Sequence, residues 1–301
     1  MSGETTPELT VVVPSVNGLG DLRGCLEALE RLRDTVRLEI LVVDRCGEAV
    51  REELRSRHPD VRLLEVPAMT TIPAMRHLAF EAATAPAVAV IEDHVIVPPG
   101  WGRRLLDGIA AGRDVVGGPI TNAADQRLLD WSTFLCEYSA CLPPLPAGPA
   151  AWLPGNNVGY RREVLLRYRD VTAEGKWENR LHDAMRADGV VLHCDPDLVV
   201  GHKKHFGYFE YLSQRWLYSR SFAGARMRGA PVWRRALTGL AAFALPPLLL
   251  LRIVRVNLGK GVPARLVLVT LPLVFTYVIA WGLGEVAGYW FGAGDSLARV
   301  R

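Results

Sequence analysis

Apolar and polar positions alternate in blocks along the first 94 residues. Leu9–Val13 is a short β-branched run ended by Pro14 and reads as a buried strand. Leu22, Cys25, Leu26, Leu29 and Leu32 recur at helical spacing, which predicts a helix over Asp21–Leu32. Leu38–Val43 predicts a second strand running into Asp44, and Glu48–Arg57 a helix. Val61–Val66 predicts a third strand, Ile72–Ala83 a helix, and Ala87–Ile91 a fourth strand running into Glu92-Asp93-His94. Strands alternating with helices of this length make βαβ units, so the expected fold is α/β, with a mostly parallel sheet flanked by helices. Such sheets bind ligands beyond the carboxyl ends of their strands. Ser15, Asn17, Asp44, Glu92, Asp93 and His94 are therefore the first candidates for function.

The pattern weakens between Gly117 and Gly155. A helix is expected over Leu128–Tyr138 and a surface loop over Leu142–Pro149. Pro154-Gly155-Asn156-Asn157 is a turn-forming cluster. Lys176–Ala187 predicts a helix closed by Gly189, Val190–His193 and Leu198–Val200 two short strands, and Tyr208–Arg228 a long amphipathic helix. Two uncharged runs follow, Ala236–Leu251 (16 residues, broken by Pro246-Pro247) and Leu266–Gly284 (19 residues). They predict a C-terminal apolar helical pair. The second run is long enough to cross a bilayer and the first is borderline. Trp281, Tyr289 and Trp290 suit the membrane interface. Arg252, Arg255, Lys260 and Arg265 lie between or beside the two runs, and two crossings would put them on the far side, against the positive-inside tendency. An in-plane hairpin and a buried pair in a soluble core therefore stay open. The expected division is residues 1–228 and 229–301.

Composition sharpens this picture. Of 301 residues 50% are hydrophobic and 22% charged, which excludes a disordered or collagen-like chain. The net charge of +3 hides an asymmetry: residues 1–201 carry −8 and residues 202–301 carry +11. A basic, apolar tail on an acidic body points to anionic membrane lipid, and its long apolar runs argue against nucleic acid. The five cysteines show no paired spacing, so neither a disulfide framework nor a structural zinc site is expected. Residues 1–10 hold no secretory core, so the N-terminal part is expected on the cytosolic side.

Four segments could carry chemistry. Glu92-Asp93-His94 puts two acids and an imidazole at a strand's carboxyl end, where they suit a hard divalent cation with His as a further ligand. Glu178 opens a helix, where the macrodipole favours its charged form; His182 shares its face and Asp183 points away. A carboxylate there suits a general base. His202-Lys203-Lys204-His205 is a cationic cluster suited to a phosphate or a metal–phosphate pair. The amides of the Gly155-Asn156-Asn157 turn could bond an acceptor or a sugar, and the segment also reads as a plain turn.

In their order and spacing these pieces resemble family 2 glycosyltransferases of the GT-A fold, over roughly residues 9–228. The carrying segments are Val11-Val12-Val13-Pro14-Ser15-Val16-Asn17, Val42-Val43-Asp44-Arg45-Cys46-Gly47, Met75-Arg76-His77 and Glu92-Asp93-His94 with Pro98. Gly155-Asn156-Asn157 through Tyr160-Arg161-Arg162, Trp177-Glu178 through Gly189, and His202 complete them. Trp281-Gly282-Leu283-Gly284-Glu285-Val286-Ala287-Gly288-Tyr289 resembles the tail of membrane-associated members. Arg45, Val16 and His94 depart from the family pattern, the first two in the base pocket.

The resemblance implies inverting transfer of a sugar from a nucleotide-diphosphate sugar to a hydroxyl acceptor, either lipid-linked or a cell-envelope glycan. It implies that Pro14, Ser15, Asn17, Asp44, Arg76, Glu92 and Asp93 face the donor. Mg²⁺ or Mn²⁺ would be held by Asp93, His202 and His94, with Glu92 assisting. Lys203, Lys204, Arg215 and Arg220 would meet the diphosphate, and Gly155, Asn156 and Asn157 the acceptor. Glu178 would be the base, with Asp183 as the alternative. The tail would hold the enzyme at the cell membrane with its catalytic part cytoplasmic, and homo-oligomerisation stays open. A nucleotidyltransferase would show a Gly-rich phosphate loop, for which Val16-Asn17-Gly18-Leu19-Gly20 is a poor fit. A non-catalytic sugar-binding or scaffold protein is the other alternative.

Overall fold

Strand β1 (Leu9–Ser15) is buried at every position, as its unbroken β-branched run requires of a strand covered on both faces. The computed structural model describes residues 6–301. Residues 1–5, part of the polar segment expected to lack a secretory core, lie outside that range. After β1 come α1 (Leu19–Glu30), β2 (Leu38–Asp44), α2 (Glu48–Arg57), β3 (Val61–Glu65), α3 (Ile72–Ala82) and β4 (Ala87–Val90). Each lies where periodicity predicts it, within about two residues at either end. Next come β5 (Val95–Ile96), α4 (Trp101–Ala110), β6 (Val115–Gly117), β7 (Ile120–Asn122), α5 (Leu128–Glu137), β8 (Gly148–Ala150), β9 (Val158–Arg161), α6 (Arg162–Arg167), α7 (Arg169–Ala173), α8 (Glu178–Ala187), β10 (Leu192–Cys194) and β11 (Val200–His202).

Eight strands form one sheet in the order β3-β2-β1-β4-β9-β6-β10-β8. β3, β2, β1 and β4 are parallel, while β9 runs antiparallel to both neighbours. A small second sheet has the order β5-β11-β7. Chain order reverses between β1 and β4, which opens a crevice at their carboxyl ends. Ser15 lies opposite Asp44 in the β1–β2 register, so the polar ends of the first two strands are side by side. Val12, Leu41, Val43, Met75, Val88, Val90 and Tyr160 form the centre of the core beneath them.

Two compact units divide the chain. One holds the chain through Ala123 together with Pro143–Lys203; the other holds Ala124–Leu142 and Lys204–Arg301. The expected boundary at 228/229 thus falls inside the second unit, because α5 and α9 (Tyr208–Arg226) pack with the apolar helices.

That second unit continues with α10 (Val232–Ala241), α11 (Leu245–Gly259) and α12 (Ala264–Phe291). Pro246 and Pro247 fall at the start of α11, where a missing N–H costs nothing, so they do not interrupt a helix. Val232–Gly259 and Ala264–Phe291 are both 28 residues long and apolar enough to cross a membrane. Only 11% of the first and 33% of the second is buried in their most apolar windows, too little for ordinary core helices.

The glycines of the tail motif are contact points. A Cβ on Gly284 would overlap Ser219 and the Trp216 backbone, and one on Gly288 would come within 2.6 Å of Ala223 Cβ. α9 and α12 therefore approach at backbone distance. Glu285 accepts from Trp281 Nε1 at 2.9 Å and from the Tyr289 hydroxyl at 2.7 Å. Of the aromatics expected at an interface, Tyr289 is buried, Trp281 is partly buried and bonds inside its own helix, and Trp290 is exposed beside Phe291.

Candidate functional site

The carboxyl ends of β1 and β4 are tied together by one carboxylate. Asp93 is fully buried, and each of its oxygens has two donors. Oδ2 accepts from the backbone N–H of Val16 (2.8 Å) and Asn17 (2.9 Å). Oδ1 accepts from Asn17 Nδ2 (2.8 Å) and pairs with His94 Nδ1 (2.9 Å). A carboxylate offers about four lone-pair sites, and all four are used. Asp93, expected as the leading metal ligand, instead clamps the turn after β1 and fixes the His94 ring. This is a correction to its expected role.

Its neighbours form the cluster. Glu92, His94 and His202 present ligand atoms that all lie within 4.8 Å of one another. His94 Nε2 is 2.9 Å from His202 Nε2 and 3.3 Å from Glu92 Oε2, and His202 Nε2 is 3.9 Å from Glu92 Oε2. These separations suit three ligands sharing one face of an ion with bonds of about 2.0–2.2 Å. His202 arrives through sheet pairing: it stands opposite Val95 in the antiparallel β11–β5 register, beside His94. The expected strand Leu198–Val200 is in fact Val200–His202, so His202 is a strand residue. Burial works to raise the Glu92 and Asp93 carboxyls, but hydrogen bonds and charge from His94 hold both below the usual carboxylate range. Burial likewise lowers His94, and the two carboxylates outweigh it and raise the imidazole to about 9. The cluster without a metal thus stores its charge as an imidazolium between two carboxylates.

The turn 155–157 joins this cluster to the base candidate. Asn156 Nδ2 donates to Glu92 Oε2 at 2.8 Å. Asn157 is fully buried and structural: it donates to the carbonyls of Pro119 and Leu198 and accepts from Trp101 Nε1 at 3.0 Å. Gly155 lies directly under Glu178, where an added Cβ would overlap the carboxylate. Glu178 is half-buried and forms an ion pair with Arg76, whose buried guanidinium lies 6.0 Å from the Trp177 ring centroid. A small cavity bounded by Arg76, Phe80, Gly155, Tyr160, Lys176 and Glu178 opens there. His182, one turn along α8, is turned inward and its Nε2 lies 2.8 Å from the Tyr160 hydroxyl; burial lowers it to about 4, so it stays neutral.

Other expected residues lie elsewhere. Asp183 is exposed and faces Arg186, away from the cluster. Asp44 accepts from Ser15 Oγ, the N–H groups of Cys46 and Gly47, and Arg51, so it shapes the turn after β2. Pro14 is buried within β1. Lys203 is exposed at the end of the first unit. Lys204, Arg215 and Arg220 belong to the second unit. There Lys204 covers the Phe206 ring, Arg215 pairs with Glu137, and Arg220 donates to the Gly292 carbonyl. Arg215 and Arg220 are thus held by partners of their own, a correction to the expected diphosphate role. Trp101 and Trp177 were not foreseen at the site. A tryptophan on each side of a polar cluster was the available signal, and it is not separable from ordinary core packing.

Comparison with known proteins bears on the fold and the family. No curated protein matches the chain. Among solved structures, the mannosyltransferase PcManGT from Pyrobaculum calidifontis, in complex with GDP-Man and Mn²⁺, is similar over 94% of this chain and 88% of its own. Its TM-score is 0.54 at 18% identity. Residues 1–349 of S. aureus TarS are similar over 93% of this chain and 90% of their own, with TM-score 0.51 at 13% identity. Both likenesses concern the fold. The sequence model of Glycosyl transferase family 2 matches residues 10–168, which contain the β1 turn, the Glu92–His94 segment and the 155–157 turn, and so the chain belongs to the family 2 glycosyltransferases.

Proposed function

We propose that this enzyme moves a sugar from a nucleotide-diphosphate sugar to a hydroxyl acceptor with inversion, using a divalent cation held by Glu92, His94 and His202. The observation that carries the proposal is the continuity of the site. The Gly155-Asn156 turn links the Glu92 carboxylate to Glu178 through one hydrogen bond and one close contact. A metal cluster and a carboxylate base are thereby held on one short segment at the carboxyl ends of the parallel strands.

The donor set fits a metal ion. Two imidazole nitrogens and a carboxylate oxygen converge, and Asp93 on His94 Nδ1 is the outer partner that orients a metal-binding imidazole. A cation bound there would neutralise charge building on the departing diphosphate. Glu178 accepts the acceptor's proton, and Arg76 holds its second oxygen in place. Asn17 and the turn after β2 face the donor. The GDP-Man and Mn²⁺ in the PcManGT structure support a nucleotide-sugar and a divalent cation here.

Two imidazoles beside one carboxylate favour a transition-metal dication over Mg²⁺, which prefers an all-oxygen shell. The Mn²⁺ of the PcManGT complex makes Mn²⁺ the expected activator. In a panel of nucleotide-sugars, release of nucleoside diphosphate should be at least about tenfold faster with Mn²⁺ than with Mg²⁺ and should stop with chelator. Turnover in chelator equal to that in Mn²⁺ would overturn the metal-dependent reading.

Membrane attachment belongs to the second unit. Leu268, Phe275, Leu283, Trp233, Leu240 and Leu248 are exposed on its apolar helices. α12 packs along α9 and against α5, which carry Glu137, Arg215, Arg220 and Arg226. A crossing of α12 would draw those charges into hydrocarbon, at several kcal/mol or more. We favour an in-plane hairpin with the catalytic unit cytoplasmic. In a Cys46→Ser background, Ala264→Cys should react with an impermeant maleimide from the side that carries the catalytic unit. Labelling only from the opposite side means two crossings.

A further inference from the structure

The second unit contains a cavity of about 220 Å³ bounded by α5, α9, α11 and α12. Glu137, Arg215, Arg252, Ile253, Val256 and Trp281 define its character. Arg215 is only 5% exposed. One of its terminal nitrogens donates to Glu137 at 2.7 Å, and its guanidinium lies 5.0–5.2 Å from the ring centroids of Tyr211, Tyr218 and Trp281. Its Nε is buried and has no hydrogen-bond partner among the described residues. A buried donor on a charged group is costly to leave unpaired. None of the described residues supplies the acceptor, and Arg215 forms part of the cavity wall.

The charges around that space sum to a cation. Glu137 offsets Arg215, and Arg252, an exposed residue of α11, adds a second guanidinium. The remaining walls are largely apolar, with Leu249, Ile253 and Val256 on one side and Val278 on another. Outside, α11 exposes Leu248, Leu251 and Leu258. A ligand that satisfies all of these features carries acceptor oxygens and negative charge at one end and hydrocarbon at the other. Guanidinium groups recognise phosphate oxygens through paired N–H donors.

We propose that this cavity binds the phosphate head of a single anionic lipid, with Arg215 Nε and Arg252 as its donors and the apolar wall of α11 along its first methylenes. The site is separate from the donor site and does not depend on the transfer reading. Its test uses binding alone.

The test is native mass spectrometry of the full chain released from neutral detergent, with dioctanoyl phosphatidic acid as probe. One molecule per chain should bind. Dioctanoylglycerol, which has the same chains and no phosphate, should bind at least tenfold more weakly. Inorganic phosphate at the same concentration should not displace the lipid. Arg252→Gln removes an exposed guanidinium and should weaken binding at least tenfold; Val256→Trp should abolish it by filling the space. Equal binding of dioctanoylglycerol overturns the phosphate requirement, and displacement by inorganic phosphate overturns the lipid. Unchanged binding in Arg252→Gln overturns the site, and that variant decides alone if Val256→Trp does not fold.

Discussion

Replacing Glu178 by Gln should lower sugar transfer by roughly two to four powers of ten while the enzyme still binds its donor. Glutamine keeps the shape and still accepts from Arg76, but it is far too weak a base to take the acceptor's proton. Arg76 therefore keeps a partner, and the thermal midpoint should move by only a few degrees. The kinetic signature is a fall in kcat with the donor KM unchanged, since the lost interaction exists only in the transition state. The control is Asp183→Asn. Asp183 is exposed beside Arg186, so that variant should be indistinguishable from the parent. Loss of transfer in Asp183→Asn with survival in Glu178→Gln would reverse the assignment.

The second large effect is expected from the metal cluster. His202→Ala removes one of three convergent ligands. The stabilisation that Mn²⁺ adds to a nucleoside diphosphate complex in a thermal-shift measurement should then disappear. Asp93→Ala acts differently, because Asp93 touches the cluster through His94 Nδ1. Loss of such an outer partner costs about 10–100-fold in metal affinity. It also frees two backbone N–H groups after β1, so its melting temperature should fall even without metal. Equal Mn²⁺ effects in His202→Ala and the parent would remove His202 from the site.

The parallel half of the sheet was legible because β1, β2 and β4 are short, mostly aliphatic runs and α1 and α3 keep a helical stripe. The antiparallel strand β9 was not. It is four residues long, contains Gly159, and gains its meaning only from wedging between β4 and β6. Helix α4 was also missed, because Pro98, Pro99 and Gly100 just before it dominate the local reading.

At the site, the residue types were legible and their division of labour was not. Glu92, Asp93 and His94 are consecutive, and which of them faces the cluster depends on backbone direction at the end of β4. That direction is set by the turn after β1, whose N–H groups capture Asp93. Arg215 and Arg220 looked available because local spacing cannot show that Glu137 and Gly292 reach them from distant helices.

The β5–β11 pairing has a thermodynamic consequence. Glu92 and His94 precede β5, while His202 closes β11, more than a hundred residues later. The β5–β11 seam that brings them together is two residue pairs long, while three further pairs hold β11 to β7 on its other edge. On the proposed metal reading, ion binding and closure of the β5–β11 seam are linked: free energy contributed by the cation favours the closed seam, and opening the seam separates the ligands. With the proposed cation bound, the small sheet would be a latch whose clasp is that ion, closing most firmly when the enzyme is equipped to act.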